Sequence, residues 1–331
     1  FGLRASAVRP TCDDADPCTV DLEVAGVCAP ELLPDGVPCD IGKACSSGIC
    51  TATALPGRRL AAGRNFNLYV RTDGTVATWG QNSEGQLGIN DLAPESRAIP
   101  VDVRQEGVYA LTDVRTVDAG DYHACAATAG GAVWCWGKGT SGQLGDGLGA
   151  DSPRPVQVSG LSEIVDVRAG VNHTCALKVD GTVWCWGWNA WGQLGDGDPG
   201  GNDLAPVQVL GLDDAVAIDA GSDQSCAVRA GGALVCWGEA DNNRLGYGWT
   251  SDRDTFHEVA PGTAGVQYWR DVICSATHGC GVGYDGTVQC WGSNLSSALG
   301  TGASSSRATA TPVAGSVAGV QAGDSHDTTT C

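Results

Sequence analysis

Five Trp-Gly pairs punctuate the chain at Trp79-Gly80, Trp136-Gly137, Trp186-Gly187, Trp237-Gly238 and Trp291-Gly292, separated by 57, 50, 51 and 54 residues. A period of that size requires one structural unit per repeat, each stacked on its neighbours. Every unit opens with a short apolar run, which in four cases ends in Ala-Gly (Ala62-Gly63, Ala119-Gly120, Ala169-Gly170, Ala220-Gly221). A second run, such as His173 to Lys178, leads into a tight turn carrying Asp73-Gly74, Gly130-Gly131, Asp180-Gly181, Gly231-Gly232 or Asp285-Gly286. Glycine there supplies the positive φ that a short hairpin loop demands. The return run ends in Trp-Gly. A glycine-rich loop with Gln-Leu-Gly (Gln86 to Gly88, Gln143 to Gly145, Gln193 to Gly195) then leads to Pro100-Val101, Pro155-Val156 or Pro206-Val207. The pattern predicts three to four short strands per unit and no helix.

Repeats of about 50 residues built from several strands, with tryptophans to fill the faces between units, are the signature of propeller blades. The composition agrees, since 49 glycines among 331 residues imply a chain dominated by turns. Residues 169 to 195 run Ala-Gly, His-Thr, Leu, Asp-Gly, Val, Trp-Gly, Asn, Gly-Gln-Leu-Gly, which resembles the repeat of the regulator of chromosome condensation family. The resemblance extends over residues 58 to 331, with Arg244-Leu245-Gly246 and Ala298-Leu299-Gly300 as degenerate loop versions. It implies an all-β fold, a β-propeller. Five complete units plus the opening of a sixth, Val317 to Cys331, give five to six blades, whereas seven are common in the family. The expected divisions are a strand-like extension at 1–10, a cysteine-rich module at 11–50, a linker at 51–61 and the propeller at 62–331.

The cysteines follow the same register. Cys175 and Cys185 sit symmetrically about Asp180, so an antiparallel hairpin places them face to face, within reach of a disulfide. Cys125 with Cys135, Cys226 with Cys236 and Cys280 with Cys290 repeat the ten-residue spacing, while the first unit has Leu68 and Thr78 instead. Because each pair belongs to a different unit, a shared zinc site is disfavoured and no metal is expected. Cys274 and Cys331 fall outside this register and are candidates for a cross-link, to each other or to a neighbouring chain. Six more cysteines (Cys12, Cys18, Cys28, Cys39, Cys45, Cys50) lie among Asp, Pro and Gly with no aromatic residue between them, so disulfides are expected to hold this module. Six cysteines allow 15 pairings and spacing selects none. Asp16-Pro17-Cys18-Thr19-Val20-Asp21 and Asp35-Gly36-Val37-Pro38-Cys39-Asp40 resemble cysteine-rich repeats of secreted and surface proteins of Gram-negative bacteria.

Sixteen cysteines point to an oxidising compartment, extracellular or at the cell surface, reached through a signal peptide since removed. The net charge of -19 repels phosphate backbones and anionic headgroups, so nucleic acid is not an expected partner. No apolar stretch approaches the length of a spanning helix, and no membrane insertion is expected. Compartment and charge also argue against the exchange-factor and chromatin roles that the family resemblance would otherwise imply. His123, His173, His278 and His326 recur at one repeat position, which marks them as structural rather than catalytic. No nucleophile elbow or phosphate-binding loop is present, and neither an enzyme nor a cofactor is expected. The clusters Asp13, Asp14, Asp16 and Asp196, Asp198, Asp203 lack the full spacing of a calcium loop and read as solvated acidic surface. Arg58, Arg59, Arg64 and Arg71 read as charge complements at a contact or as solvated side chains. The sequons Asn172-His173-Thr174 and Asn294-Leu295-Ser296 are candidate glycan acceptors, the first of them on the repeat template, and both read as structural.

Two functional expectations follow. Phe1, Leu3, Ala5 and Ala7 alternate with Gly2, Arg4 and Ser6, as a strand does; added to the open half-blade of its own chain it would close the ring, and added to that of the next copy it would make the chain a subunit of a surface filament, tube or sheath. Self-association into a homopolymer is the favoured partner. The alternative is a binding propeller, an adhesin or inhibitor, that holds a protein or glycan through Trp188, Asn189, Trp191, Tyr247 and Trp249 in its inter-strand loops.

Overall fold

The computed structural model describes residues 57–314, except 94, 107–108, 199, 249–250 and 261–267. It also gives the backbone of short strands at Thr19–Val24, Val27–Leu32, Pro38–Asp40, Lys43–Ser46, Ile49–Ala52, Ser325–His326 and Thr329–Thr330. Phe1, Leu3, Ala5, Ala7, Cys12, Cys18, Trp249 and Cys331 lie outside the described residues, as do the side chains of Cys28, Cys39, Cys45 and Cys50.

Among the described residues, five four-stranded antiparallel sheets follow one another, each with its strands in sequence order. Blade I comprises Leu60–Ala62, Phe66–Val70, Val76–Gln81 and Ser96–Asp102; blade II comprises Val114–Ala119, His123–Thr128, Val133–Gly137 and Ser152–Gln157. Blade III comprises Ile164–Ala169, His173–Lys178, Val183–Trp188 and Asn202–Gln208. Blade IV comprises Ala215–Ala220, Gln224–Arg229, Leu234–Gly238 and Arg253–Glu258; blade V comprises Trp269–Cys274, His278–Gly283, Val288–Gly292 and Arg307–Pro312. This is a β-propeller, with the first strand of each blade innermost. Blade I opens at Leu60, inside the stretch assigned to the linker.

The hairpin chemistry is local. In the Asp-Gly-Thr turns, Asp73 accepts from the Thr75 N–H at 3.0 Å and from its hydroxyl at 2.7 Å. Asp180 with Thr182 and Asp285 with Thr287 repeat the arrangement. These bonds hold the Asp73 and Asp180 carboxyls below the usual range, Asp73 chiefly through the Thr75 N–H and Asp180 chiefly through the Thr182 hydroxyl. Each turn fixes the register of its strands, and so sets Cys125 opposite Cys135, Cys175 opposite Cys185, Cys226 opposite Cys236 and Cys280 opposite Cys290. All four pairs form disulfides, with Cα atoms 4.1 Å apart in each. Blade I carries Leu68 opposite Thr78 at the same place.

The core is a series of layers between successive blades rather than one central mass. Trp136, Trp186, Trp237 and Trp291 are fully buried, each against the preceding blade. Their indole N–H groups donate to Gln86, Gln143, Gln193 and Arg244 carbonyls at 2.9, 2.9, 2.9 and 2.8 Å. The recurrent Gln-Leu-Gly is therefore the socket for the next blade's tryptophan. Its glycine is obligatory: a β-carbon on Gly145, at φ +68°, would stand 2.7 Å from the Trp186 indole nitrogen. Farther out, the same loops stitch to the outer strand of the next blade, through Asn90 N–H to Pro153 C=O, Gly147 N–H to Leu204 C=O and Gly197 N–H to Asp254 C=O.

Candidate functional site

Because strands alternate direction, the turns after the inner strands and the long loops after Trp-Gly share one end of the propeller. At its centre lies a cavity of about 270 Å³, lined by the ends of all five inner strands and by Arg58, Arg64, Asp118, Asp121 and Asp219. Asp118, Arg168 and Asp219 occupy one repeat position, immediately before Ala119, Ala169 and Ala220. Asp118 accepts from the Ala169 N–H at 2.9 Å, and Asp219 from the Cys274 N–H at 2.6 Å, so each carboxylate caps an inner-edge amide of the next blade. Arg58 donates to Asp118 at 3.0 Å and lies 3.6 Å from Asp219; Arg168 lies 3.6 Å from Asp219 and 2.7 Å from Asp166. Burial outweighs these arginines at Asp219 and pushes its carboxyl up to about 7; Asp166 and Asp271 are raised by burial as well.

This network was not anticipated as a unit, although the recurrence of Asp or Arg before Ala-Gly was its sequence signal. Arg58 belongs to it. Arg64 pairs with Asp121 at 3.3 Å and Arg71 with Asp102 at 2.7 Å, so three of the four clustered arginines are charge complements within the chain. Carboxylates engaged by guanidinium and backbone donors brace the blades together. Cys274 is 2% exposed at the end of an inner strand, and burial followed by Asp219 raises its thiol. That burial corrects its assignment as a cross-link to a neighbouring chain, because its sulfur is withheld from the surface.

Two of the recurrent histidines, His123 and His173, are structural links. His123 Nε2 lies 2.9 Å from Thr174 Oγ1 and His173 Nε2 lies 2.9 Å from Ser225 Oγ, each across a blade boundary. Burial lowers their pKa values to about 4 and about 3. Among the described residues, no group of three His, Cys, Asp or Glu side chains is placed to hold a metal, Asp196, Asp198 and Asp203 included.

Of the loop residues expected to bind, the structure separates exposed from structural ones. Trp188 is 36% and Trp191 43% exposed, both at the loop end of blade III. Asn189, between them, is fully buried: its carbonyl accepts from the Leu194 N–H at 3.0 Å and its amide donates to Asp196 Oδ1 and the Asp198 carbonyl. It braces the loop, as Asn82 and Asn294 do in theirs, and its assignment as a binding residue is corrected. The same contacts use the Asn294 amide inside the fold. Tyr247 is half-buried against the core layer between blades IV and V, and its hydroxyl donates to the Ser251 carbonyl at 3.1 Å. Burial pushes that phenol up to about 12, and the ring serves packing between blades. A second cavity, about 230 Å³, is lined by Ala190, Trp191, Asp252 and Asp254 where the blade III loop meets blade IV.

The family model of the RCC1-like domain matches residues 49–329. The chain belongs to that family. The human E3 ubiquitin-protein ligase HERC2 is 31% identical over 251 residues, covering 73% of this chain and 5% of the relative. The ultraviolet-B receptor UVR8 of Arabidopsis thaliana is 34% identical over 103 residues, 31% of this chain and 22% of the relative. This RCC1-like chain thus spans a small fraction of those relatives. Among solved structures, Prp20p of Saccharomyces cerevisiae superposes with a TM-score of 0.69 at 22% identity, covering 81% of this chain and 66% of its own. Human WBSCR16 gives 0.67 at 23% identity, with 80% and 69% covered. These likenesses establish the fold.

Proposed function

We propose that this RCC1-like chain is a non-enzymatic binding propeller of an oxidising, extracytoplasmic compartment, which holds a protein partner against its loop face. The observation that carries the reading is the exposure of two tryptophans, Trp188 and Trp191, on one loop braced by the buried Asn189 and its neighbouring blade. Large aromatic side chains on a rigid support concentrate binding energy. The rigidity comes from four disulfides, which also favour export. Among relatives by fold, Prp20p binds Gsp1p and histones, so a propeller of this kind can serve as a protein-capturing surface.

The assembly reading, a filament, tube or sheath subunit, depends on Phe1 to Ala7 and Cys331, which lie outside the described residues. Negative-stain electron microscopy of the unreduced protein separates the two. Uniform single discs support the binding propeller; ordered filaments overturn it in favour of the polymer subunit. Trp188→Ala with Trp191→Ala is then expected to abolish partner capture while leaving the disulfides intact. Capture that is unchanged in this variant overturns the loop-face assignment.

A further inference from the structure

The cavity at the junction of blades III and IV has a specific chemistry. Trp191, 43% exposed, lines it together with Ala190, Asp252 and Asp254, and Asp252 keeps Oδ1 on the Ala240 N–H at 2.9 Å, which leaves its Oδ2 for a ligand. The junction is built rather than accidental. Gly192, at φ +76°, lets the loop lie on blade IV, since a β-carbon there would stand 2.6 Å from the Asp254 α-carbon. Gly197 N–H then donates to the Asp254 carbonyl at 3.0 Å, which brings Asp196 and Asp198 alongside the same strand. Asp203 registers their crowding: burial first, then Asp196 and Asp198, raise its carboxyl. The guanidinium of Arg253, between the two cavity carboxylates in sequence, is directed over the Tyr247 ring at 5.8 Å.

A partly exposed indole beside two carboxylates, one of them with a single oxygen already engaged, is complementary to a flat cation. We infer that this cavity is the subsite for an arginine side chain of the protein partner, stacked on Trp191 and donating to Asp252 and Asp254. Guanidinium is favoured over ammonium because it is planar, weakly hydrated and able to donate along its edge while stacked. The surrounding carboxylates and the net charge of -19 add a long-range attraction for a basic partner. The inference rests on the binding reading above and names the chemistry of its contact.

The test titrates the oxidised 331-residue chain with tri-arginine, tri-lysine and tri-citrulline peptides, following tryptophan fluorescence and calorimetric heat. Tri-arginine is expected to bind several-fold more tightly than tri-lysine, and tri-citrulline not to bind. Trp191→Leu and Asp254→Asn are each expected to weaken tri-arginine by about fivefold, the scale of one exposed cation–π or ionic contact. Asp73→Asn, on a hairpin at the opposite end, removes the same charge and is expected to change nothing. Equal weakening by Asp73→Asn, or binding indifferent to Trp191→Leu, overturns the subsite and leaves only the general field of an acidic protein. Near-ultraviolet circular dichroism and intact disulfides show that the variants are folded. A natural partner that is lost with Trp188→Ala but binds unchanged to Asp254→Asn would sink the arginine subsite while the binding propeller stands.

Discussion

His123 Nε2 lies 2.9 Å from the Thr174 hydroxyl across the boundary of blades II and III, and that hydroxyl donates to the Gln143 carbonyl at 3.0 Å. A carbonyl only accepts, so the hydroxyl gives its proton to Gln143 and receives one from the histidine. His123 therefore carries a proton on Nε2, and with burial lowering its pKa to about 4 it is the neutral Nε2–H tautomer near neutral pH. His173, Ser225 and Gln193 repeat the relay with 2.9 and 3.0 Å contacts.

Protonation of either ring requires placing a cation in a fully buried seam. The folded pKa values of about 4 and about 3 lie below the ordinary value of 6.5, so the stability these groups confer is complete above about pH 6.5 and is lost as pH falls toward about 4. Blade IV supplies the control, because Gln224 holds the same position and donates to the Ser275 carbonyl at 3.1 Å without titrating. His173→Gln is expected to flatten the acid limb of stability while costing little near neutrality. Urea midpoints measured from about pH 7 down to about pH 4 check this; an acid limb as steep as that of the parent chain would refute the relay.

Two glycines of one loop separate backbone strain from packing. Gly145 and Gly147 have φ +68° and +84°, but a β-carbon on Gly147 meets nothing within 4 Å, whereas one on Gly145 strikes the Trp186 indole. Gly147→Ala is expected to cost about 1–2 kcal/mol from the left-handed backbone alone. Gly145→Ala adds about 1–3 kcal/mol of overpacking and is expected to lose the buried Trp186 emission on mild denaturation first. Equal costs in equilibrium unfolding would show that the tryptophan socket is not tight.

Each blade staple closes a short loop and is expected to contribute about 2–3 kcal/mol, so Cys175→Ser with Cys185→Ser should lower stability by that amount. Blade I offers the converse. Leu68 and Thr78 share the register of the paired cysteines, so Leu68→Cys with Thr78→Cys is expected to add a blade disulfide to those of blades II to V. The gain is reduced by about 1 kcal/mol, because the Thr78 hydroxyl now donates to the Leu87 carbonyl at 2.8 Å. Peptide mapping without reductant reads the outcome, and free thiols at both positions would refute the shared register.

The features legible in the sequence are those written at short range. The Asp180-Gly181 turn fixes its own hairpin, the hairpin fixes Cys175 opposite Cys185, and five repetitions of the pattern specify blades. Relations between blades were less legible, because partners such as Trp186 and Gln143 are 43 residues apart and neither residue type names the other. Asn189 illustrates the limit: a polar residue between two exposed tryptophans reads as a ligand contact until the fold shows its carbonyl and amide both spent on its own loop. The seam of Asp118, Arg168 and Asp219 was hidden for a related reason. Repeats that alternate acid and base at one position look like surface variation along the chain, and become ion pairs only when the inner strands are gathered around an axis.

That seam yields a test of sign. Asp219 is held between Arg58 and Arg168, each 3.6 Å away, and accepts from the Cys274 amide, all of which favour the carboxylate. Burial opposes them and prevails, placing the folded pKa at about 7, above the unfolded value of about 3.9. The folded state therefore holds a proton that the unfolded state has released between those values. Stability from this group is fully present below about pH 4 and is lost as pH rises through about 7, opposite in sense to the histidine relays. Asp219→Asn mimics the protonated acid, so it is expected to be nearly neutral at about pH 4 and to gain on the parent chain as pH rises toward about 8. Guanidinium unfolding would confound the measurement by screening charge, so urea midpoints at fixed ionic strength are the appropriate readout. A variant that instead falls behind as pH rises would show that the two arginines outweigh desolvation and that Asp219 is an anion throughout.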